Sequence, residues 1–460
     1  MGRRMKGLLI GLALILILGI SLLAKSILSF PSYIRIVPEQ EHLFKVSRWL
    51  TMAPVDEGAG EFLSVLQDGL SIKASKLGPI RLQLSLLGLV PLREVVVDVV
   101  SETHVVPGGQ AIGVLLSSGG LIVSQTVPVI DVNGVERYPA QAAGIRYGDI
   151  VRKINGIEVN DPHQVGALVN RFAQGNQGIW LEVQRGRQTL RVPVQPVRVN
   201  PRTPRPGVSS EYLIGILLEE PTAGVGTVTF ADPASGKFAA LGHKITDRYS
   251  RTLPVEDGRI VRAYIDGIQV GTRGQPGEKI GRFTGPKDEI GVVHKNTEFG
   301  IYGVLTQPNA VSGRTVPVAL ASEVTTGPAQ IRTVLSGHKV ETFDVEIIKV
   351  VQQSRPESKG LVVKIVDPRL LQQAGGIVQG MSGSPILQRG KLVGAITHVF
   401  VNDPTKGFGI LAEWMIYEAG VAGTNVKGHT WNHPGVTPRV AAAGGATLQW
   451  RSVGKEGKII

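Results

Sequence analysis

One short stretch of the sequence contains the residue types needed for nucleophilic catalysis. Residues 380–385 read Gly-Met-Ser-Gly-Ser-Pro, which places Ser382 between two glycines. A serine hydroxyl becomes a good nucleophile when a base takes its proton, and the oxyanion that forms needs backbone N–H donors held in a tight turn. Glycines permit such a turn because they adopt backbone angles that other residues avoid. The sequence therefore predicts Ser382 as a nucleophile. The alternative is a turn that only joins two strands, in a chain with 58 glycines.

A histidine upstream supplies a candidate general base. His243 stands in Leu-Gly-His-Lys-Ile-Thr-Asp, directly after a strand-like run. The Gly-x-Ser-Gly-x-Pro phrase resembles the nucleophile loop of chymotrypsin-like serine proteases, in which the base also precedes the serine. That resemblance implies an oxyanion hole formed by the backbone N–H groups of Gly380 and Ser382.

The third member of such a triad is a carboxylate that accepts a hydrogen bond from the histidine and fixes its tautomer. We predict Asp367 for this role, because a strand-like run ends there just before the nucleophile loop and Pro368 would hold the turn. Asp266 and Asp288 are the rivals, since they lie nearer the position that the chymotrypsin pattern gives the acid. The acidic candidates between base and nucleophile are Asp247, Asp257, Asp266, Asp288, Asp344 and Asp367.

The composition bounds the class of protein. A chain of 460 residues with 42% hydrophobic and 19% charged residues is long enough for two or three globular domains. The absence of cysteine excludes disulfides and thiolate metal sites, and we predict no metal site and no cofactor. The net charge of +12 comes from scattered basic residues, and no nucleic-acid-binding signature accompanies it. We therefore expect a solvated basic surface and no nucleic-acid partner.

Near the N-terminus, residues 7–24 form an uncharged apolar run. Eighteen such residues are just long enough to span a bilayer. Arg3, Arg4 and Lys6 precede the run and predict a cytoplasmic segment 1–6, with everything after Lys25 on the other side of the membrane. A cleaved signal peptide is the alternative. We expect an uncleaved, single-pass anchor over 7–24, because no clear cleavage site follows.

Between this anchor and the catalytic motifs, the sequence predicts two β-rich units. Residues 31–105 contain two strand-like runs and no chemistry, which indicates a membrane-proximal spacer or docking module. Residues 106–198 contain Gly-Asp-Ile-Val and Ile-Asn-Gly after a small-residue helix start, a phrase that resembles PDZ domains. Another type of β-rich domain is the alternative. The proline-rich residues 199–208 predict a linker.

The PDZ resemblance implies a peptide-binding groove. It places the carboxylate-binding loop at Ala111, Ile112, Gly113 and Val114, with the helix beside the groove at His163 to Ala173. PDZ domains add an extended peptide to a sheet edge. The expected occupant is a partner peptide or a segment of this same chain.

From residue 209 to 420, short β-like runs alternate with glycine, proline and aspartate turns. This pattern predicts an all-β domain folded as two barrels. The predicted fold class is thus mainly β: a transmembrane helix, a PDZ domain and a chymotrypsin-like double β-barrel peptidase domain. Residues 421–460 are rich in glycine and alanine and predict a flexible tail.

The order of anchor, short β region, PDZ domain and the two motifs around His243 and Ser382 resembles the stage IV sporulation protein B peptidases of endospore-forming bacteria. The resemblance covers nearly the whole chain up to about residue 420; the tail beyond Ala419 matches no motif of the family. It implies a triad of His243, Asp367 and Ser382, export to the space between forespore and mother cell, and self-cleavage. It also implies a protein substrate, a regulatory subunit of the membrane complex that processes pro-sigma-K.

The leading hypothesis is therefore a membrane-anchored serine endopeptidase of spore formation. One alternative is a quality-control protease of the high-temperature-requirement type, in which the PDZ domain follows the peptidase domain instead of preceding it. The other is a non-catalytic PDZ scaffold, against which the presence of both His243 and Ser382 argues.

Overall fold

The structure is a computed structural model. It describes Ser21 and residues 33–44, 49–55, 63–66, 69–74, 76–117, 119–186, 188–200, 211–219, 222–246, 252–253, 255, 257–283, 288–351, 353, 356–421 and 458–459. Apart from Ser21, the predicted anchor at 7–24 lies outside these residues. Within the described ranges, no helix has the length and apolarity needed to cross a bilayer.

The membrane-proximal unit is a small β structure. Its main sheet has the order β1-β7-β6-β3, and β2-β5-β4 form a second sheet. The two strand-like runs predicted here are confirmed as β6 and β7, which pair as an antiparallel hairpin and bury alternate residues against the sheet's own core. The strands are β1 Tyr33–Ile36, β2 His42–Phe44, β3 Leu50–Pro54, β4 Leu63–Leu66, β5 Gly69–Ile72, β6 Gly78–Leu86 and β7 Val90–Val99.

The next strands divide between two units. β8 His104–Pro107 and β9 Ala111–Ser117 pair with strands far along the chain. A local unit of ten strands and two helices then follows, with its own apolar core. It comprises β10 Leu121–Thr126, β11 Val129–Ile130, β12 Glu136–Arg137, α1 Pro139–Ala142, β13 Ile150–Ile154, β14 Ile157–Glu158, α2 Pro162–Gln174, β15 Ile179–Arg185, β16 Gln188–Val194, β17 Val197–Arg198, β18 Tyr212–Leu213 and β19 Ile216–Glu219.

Local signals in this unit are confirmed. Asn155 and Gly156 both have positive φ, 47° and 83°, as a two-residue hairpin turn of the primed kind requires, and they join β13 to β14. The predicted helix is α2, which begins after Asp161; the Asp161 carboxylate accepts from the N–H of His163 as an N-cap.

The remaining strands form most of two barrels. They are β20 Thr222–Ala231, β21 Lys237–Ala240, β22 Asp257–Arg262, β23 Tyr264–Gln269, β24 Glu278–Arg282, β25 Glu289–Thr297, β26 Gly300–Leu305, β27 Val316–Pro317, β28 Gly327–Val334, β29 Val340–Val350, β30 Leu361–Ile365, β31 Pro385–Gln388, β32 Lys391–Phe400 and β33 Asp403–Leu411. The helices are α3 Pro368–Ala374 and α4 Ala412–Ala419, with 3-10 turns at Pro308–Ala310 and Ala321–Glu323. β34, Lys458–Ile459, is the last described element.

Two six-stranded barrels confirm a mainly β fold consistent with the double-barrel peptidase domain. The first closes in the order β21-β26-β25-β22-β9-β20, with β20 pairing back to β21. The second closes in the order β28-β29-β30-β33-β32-β31. The apolar cluster of the first barrel contains the fully buried Phe238, and that of the second contains Phe343 together with Phe230 from β20.

The first barrel is discontinuous in sequence. β9 comes before the unit of β10–β19, and β20 comes after it, yet the two strands pair from Ala111↔Thr227 to Leu116↔Thr222. The PDZ-like unit is therefore inserted between two strands of the peptidase barrel. The predicted limits of 106–198 and 209–420 assign β9 to the PDZ domain and the other strands of this barrel to the peptidase domain, because strand pairing across a hundred residues leaves no local signal.

Candidate active site

Ser382 lies on the loop between α3 and β31, and strand β20 of the first barrel forms hydrogen bonds with this loop. The Thr227 hydroxyl donates to the carbonyl of Gly380 at 2.7 Å, and the Thr229 hydroxyl donates to the carbonyl of Gly383 at 2.9 Å. The backbone N–H of Thr227 donates to the carbonyl of Ser382 at 3.0 Å. Three hydrogen bonds from Thr227 and Thr229 thus fix the loop that carries Ser382.

Two glycines in this loop are required by geometry. Gly380 has φ of 89° and Gly383 has φ of 93°, a region that side chains disfavour. A Cβ at Gly383 would lie 2.0 Å from the carbonyl oxygen of Thr227, so no side chain fits there. The glycines that the sequence suggested for a tight turn are thus where the turn needs them.

The two serines of the motif have different environments. Ser382 is half-buried, and its hydroxyl donates to the carbonyl of Thr397 at 2.7 Å. Ser384 is fully buried, and its hydroxyl oxygen has no hydrogen-bond partner among the described residues. Of the two, Ser382 is the one that a substrate can reach.

His243 follows β21 in the first barrel, and its ring orientation fixes its tautomer. Nδ1 lies 2.8 Å from the carbonyl oxygen of Lys244. Because a carbonyl only accepts, Nδ1 carries the proton and Nε2 keeps its lone pair. Burial lowers the pKa of His243, an effect that the hydrogen bond to Lys244 partly opposes. The residue is 8% exposed. The neutral form is therefore favoured, with Nε2 as the ring nitrogen that can take up a proton, as a general base requires.

The candidate base and the candidate nucleophile both lie against β32, a strand of the second barrel. Ser382 contacts the carbonyl of Thr397, and the ring of His243 lies 4.9 Å from that of the next residue, His398. A Cβ at Gly242 would lie 2.9 Å from the methyl group of Thr397, so the histidine loop passes directly over β32. The structure thus brings Ser382 and His243 to the same boundary between the barrels.

The N–H groups of Gly380 and Ser382 are available to a substrate. Of the backbone N–H groups in this loop, those of Met381, Gly383 and Ser384 donate to carbonyls of the protein. Those of Gly380 and Ser382 donate to no acceptor in the part of the chain that the structure describes. Two unused donors two residues apart, one of them on the nucleophile, are the pattern that an oxyanion hole needs.

Asp367 does not contact His243 in this structure. Its carboxylate caps α3 by accepting from the N–H of Arg369 at 2.9 Å, pairs with the Arg369 guanidinium at 2.8 Å, and accepts from the N–H of Asp344 at 3.2 Å. The hydrogen bond from Arg369 lowers the pKa of Asp367 to about 2. The predicted hydrogen bond to the base is replaced by these contacts, because an Asp-Pro at a strand end is also a strong helix start.

Three of the other acidic candidates, the rival Asp266 among them, are engaged elsewhere. Asp266 pairs with Arg282 at 3.1 Å, Asp257 pairs with Arg259 at 3.1 Å, and Asp344 accepts from Gln330 at 3.0 Å. Asp247 lies outside the described residues. Nδ1 of His243 lies against a backbone carbonyl, that of Lys244.

Two residues of this site escaped the sequence interpretation. His398 lies in the apolar strand β32, and Lys279 lies in β24 with its ammonium buried next to Thr227. Nothing local distinguishes either from an ordinary strand residue. Their positions depend on the contact between the two barrels, which is formed by residues more than a hundred positions apart.

The prediction that residues 111–114 form a peptide-binding loop is wrong. Ala111, Ile112, Gly113 and Val114 lie in strand β9, where they pair with β20 on one side and with β22 on the other. Both edges of the strand are used, and the side chains of Ala111, Ile112 and Val114 are buried in the first barrel. A Gly-rich apolar segment has the same local pattern in a binding loop and in a barrel strand, which is why the sequence misled here.

A different strand of the inserted unit receives an added strand. β19 pairs with β10 on one side, and on the other side it pairs antiparallel with Lys458–Ile459 of the same chain, at Leu217↔Ile459 and Leu218↔Lys458. The tail predicted to be flexible thus contains one described segment, and it extends this sheet. Among the described residues, no group of three or more His, Asp or Glu could hold a metal ion.

Comparisons with known proteins agree with this arrangement. Residues 210–416 match the family model of the SpoIVB peptidase S55, and residues 130–185 match the model of a PDZ domain. A comparison with curated proteins found no match.

Two solved structures resemble the chain weakly. The Rv3671c protease from M. tuberculosis in its active form has 12% identity, over 43% of this chain and 73% of that chain, with a TM-score of 0.25. Its inactive form has 13% identity, over 43% of this chain and 84% of that chain, with the same TM-score of 0.25. Similarity at this level does not establish a shared fold.

Proposed function

We propose that Ser382 and His243 are the nucleophile and the general base of a serine peptidase, in a chain whose residues 210–416 match the SpoIVB peptidase family and whose residues 130–185 match a PDZ domain. The observation that carries this proposal is their convergence on Thr397 and His398 at the boundary of the two barrels. The half-buried hydroxyl of Ser382 and the Nε2 lone pair of His243 are the two groups that acyl transfer needs.

The steps follow from these groups. The Ser382 hydroxyl turns from the Thr397 carbonyl toward Nε2 of His243, gives up its proton and attacks the substrate carbonyl carbon. The oxyanion accepts from the N–H groups of Gly380 and Ser382, which have no other acceptor among the described residues. His243 then returns the proton to the leaving amine, and water attacks the acyl-enzyme by the same route in reverse.

The orienting group on the base differs from the one that the family resemblance implies. The Lys244 carbonyl accepts a hydrogen bond from Nδ1 of His243. Asp367 instead caps α3 and pairs with Arg369. We therefore assign the orienting contact to Lys244 and treat Asp367 as a residue that positions the segment leading to the nucleophile loop.

The substrate is a protein, as a peptidase with a PDZ domain implies. By resemblance to the stage IV sporulation protein B peptidases, we propose that it is a regulatory subunit of the pro-sigma-K processing complex, and that the enzyme also cleaves itself. The apolar run at 7–24 supports a membrane anchor with the catalytic domain outside the cytoplasm.

For the PDZ domain, we propose that its peptide edge is β19. Antiparallel pairing of an extended segment with a free sheet edge is how PDZ domains bind peptides, and Lys458–Ile459 pairs with β19 in this way. The proposed occupant in this conformation is thus a segment of the same chain, in competition with a partner peptide.

A fluorophosphonate probe tests the catalytic proposal, because it reacts only with an activated serine. We expect the full chain to be labelled, and Ser382→Ala and His243→Ala to abolish labelling while circular dichroism shows a folded protein. Labelling that survives in Ser382→Ala would reject the assignment.

A further inference from the structure

Strand β24 places a buried lysine directly beneath the nucleophile loop. Lys279 is 5% exposed, and its ammonium donates to the Thr333 hydroxyl at 2.8 Å and to the Thr227 hydroxyl at 3.3 Å. Thr227 belongs to the first barrel and Thr333 to the second, so Lys279 bridges the two. Among the described residues, no carboxylate forms an ion pair with it, and burial lowers its pKa to about 7.

Three contacts connect Lys279 to Gly380 or to the residue before it, and one of them passes through Thr227. Its backbone N–H donates to the carbonyl of Gln379 at 3.0 Å. Its ammonium donates to Thr227, whose hydroxyl in turn donates to the carbonyl of Gly380 at 2.7 Å. Its aliphatic stem lies where a Cβ of Gly380 would be, at 3.1 Å from Cδ. Lys279 thus holds the carbonyl of Gln379 directly and the carbonyl of Gly380 through Thr227.

These contacts decide where an oxyanion donor points. In a planar trans peptide, the C=O and the N–H point in opposite directions. Holding the carbonyl of Gln379 therefore sets the direction of the Gly380 N–H, and holding the carbonyl of Gly380 prevents the next peptide from rotating. Resting on the proposed catalytic function, we propose that Lys279 is a positioning residue that keeps the oxyanion hole open through Thr227 and Gly380.

The energetics of this site favour a functional reason for the lysine. A buried ammonium without a counter-ion is unfavourable, and an apolar side chain of similar length would be more stable there. The unfolded lysine titrates near its usual pKa of 10.5, above the folded value of about 7. Between these values the unfolded state binds more protons, so this lysine makes stability rise with pH; below pH 7 the whole cost of the buried charge is present.

The titration of Lys279 should also affect the pH dependence of the acylation rate. The protonated ammonium forms charge-assisted hydrogen bonds to both threonine hydroxyls, and these bonds weaken when the proton is lost. The groups that face Nζ from β20, β28 and the nucleophile loop are Thr227, Thr333 and Gly380, none of which titrates in this range. The rate of acylation should therefore fall as pH rises through about 7.

Lys279→Met tests the proposal, because it keeps the stem and the backbone N–H but removes the ammonium. The measurement is the rate of fluorophosphonate labelling and of peptide turnover from pH 5.5 to 9, together with thermal unfolding. Loss of one oxyanion donor costs about 10²–10³ in kcat, and we expect a loss of about tenfold to 10² at pH 6.5 with KM little changed. We also expect that the rate of the variant does not fall around pH 7 and that its Tm is higher than that of the wild type. Lys364 is an exposed lysine on β30, so Lys364→Met is the matched control. It should leave the reaction rates, their pH profile and the Tm unchanged.

Thr333→Val provides a second measurement that does not depend on Lys279→Met folding. It removes one acceptor of the ammonium and should shift the decline near pH 7 while the protein stays folded. If the wild-type protein is labelled and both variants keep its rate and its pH profile, the role of Lys279 is rejected. If the wild-type protein is not labelled at all, or Ser382→Ala is labelled like it, the catalytic proposal itself fails.

Discussion

The imidazole rings of His243 and His398 lie with their centroids 4.9 Å apart and their planes tilted by 40°, one from each barrel. Burial lowers the pKa of both rings, and for His398 burial together with the neighbouring His243 and Lys359 lowers it to about 3. Burial disfavours a charge on either ring, and a charge on both would add repulsion between them. The contact between the barrels therefore favours the neutral form of His243, the proposed general base.

The first prediction concerns pH. Since the folded pKa of His243 is depressed, the acid limb of kcat/KM should lie below the usual histidine value of about 6.5. A pH–rate profile on a peptide substrate checks this. An acid limb at or above pH 7 would contradict the burial of the base.

Acid stability should depend on His398. Because its pKa is lower in the folded state than in the unfolded state, the unfolded state binds more protons between about pH 6.5 and 3, and stability falls as pH falls through that range. We expect His398→Phe to reduce this acid destabilisation in urea unfolding at pH 4.5 against pH 7.5. His294→Phe, at an exposed position of β25, is the control and should leave the slope as it is in the wild type.

The buried serine of the motif should be dispensable. The Ser384 hydroxyl has no hydrogen-bond partner among the described residues, so removing it takes away an unfavourable buried polar group. We expect Ser384→Ala to retain labelling and to keep or raise the Tm. Loss of labelling in a folded Ser384→Ala protein would show that the register of the nucleophile loop is wrong.

Asp367 can be tested by separating its possible roles. Asn also caps helices, so Asp367→Asn keeps the cap and removes the ion pair with Arg369, whereas Asp367→Ala removes both and should cost about 1 kcal/mol more from the cap. Because no contact joins Asp367 to His243, we expect turnover in Asp367→Asn to fall far less than the roughly 10⁴ seen for a triad aspartate. A loss of that size with unchanged stability would restore Asp367 as the orienting acid. Asp266→Asn is the comparison variant.

Gly113 should matter for stability and not for peptide specificity. A Cβ at this position would lie 2.7 Å from the ring of Phe283 and 2.8 Å from a methyl group of Val261, so Gly113→Ala strains the first barrel. We expect overpacking of this kind to cost about 1–3 kcal/mol. Gly267→Ala, in β23 where an added Cβ would have no atom within 4 Å, tests for a general effect of losing a glycine. Altered peptide binding with unchanged stability in Gly113→Ala would bring back the binding-loop interpretation.

The pairing of β34 with β19 predicts self-occlusion of the peptide edge. A peptide with the sequence of residues 455–460 should bind a variant lacking 422–460 more tightly than it binds the full chain, because the edge is then free. Fluorescence anisotropy of the labelled peptide measures this, and a version with an amidated end shows whether a free carboxylate is needed. Equal affinity for both proteins would contradict the occupancy of β19.

Much of the local structure could be predicted. Apolar runs predicted β6 and β7, and Asn155-Gly156 predicted its hairpin. Signals of this kind depend on a few neighbouring residues, so they survive in the sequence. The same holds for the Gly380–Pro385 turn, whose glycines are required by positive φ and close backbone approach.

The sequence by itself determined the chemistry that is available: a serine in a glycine turn, a histidine at a strand end, and β-rich domains around them. Only the tertiary structure decided which groups meet. It placed β9 in the peptidase barrel and not in a binding loop, and it brought His398 and Lys279 to the site. The physical reason is that strand pairing and barrel contacts join residues that are far apart in the sequence, where burial and unpaired hydrogen-bond donors, not local pattern, determine which partners are chosen.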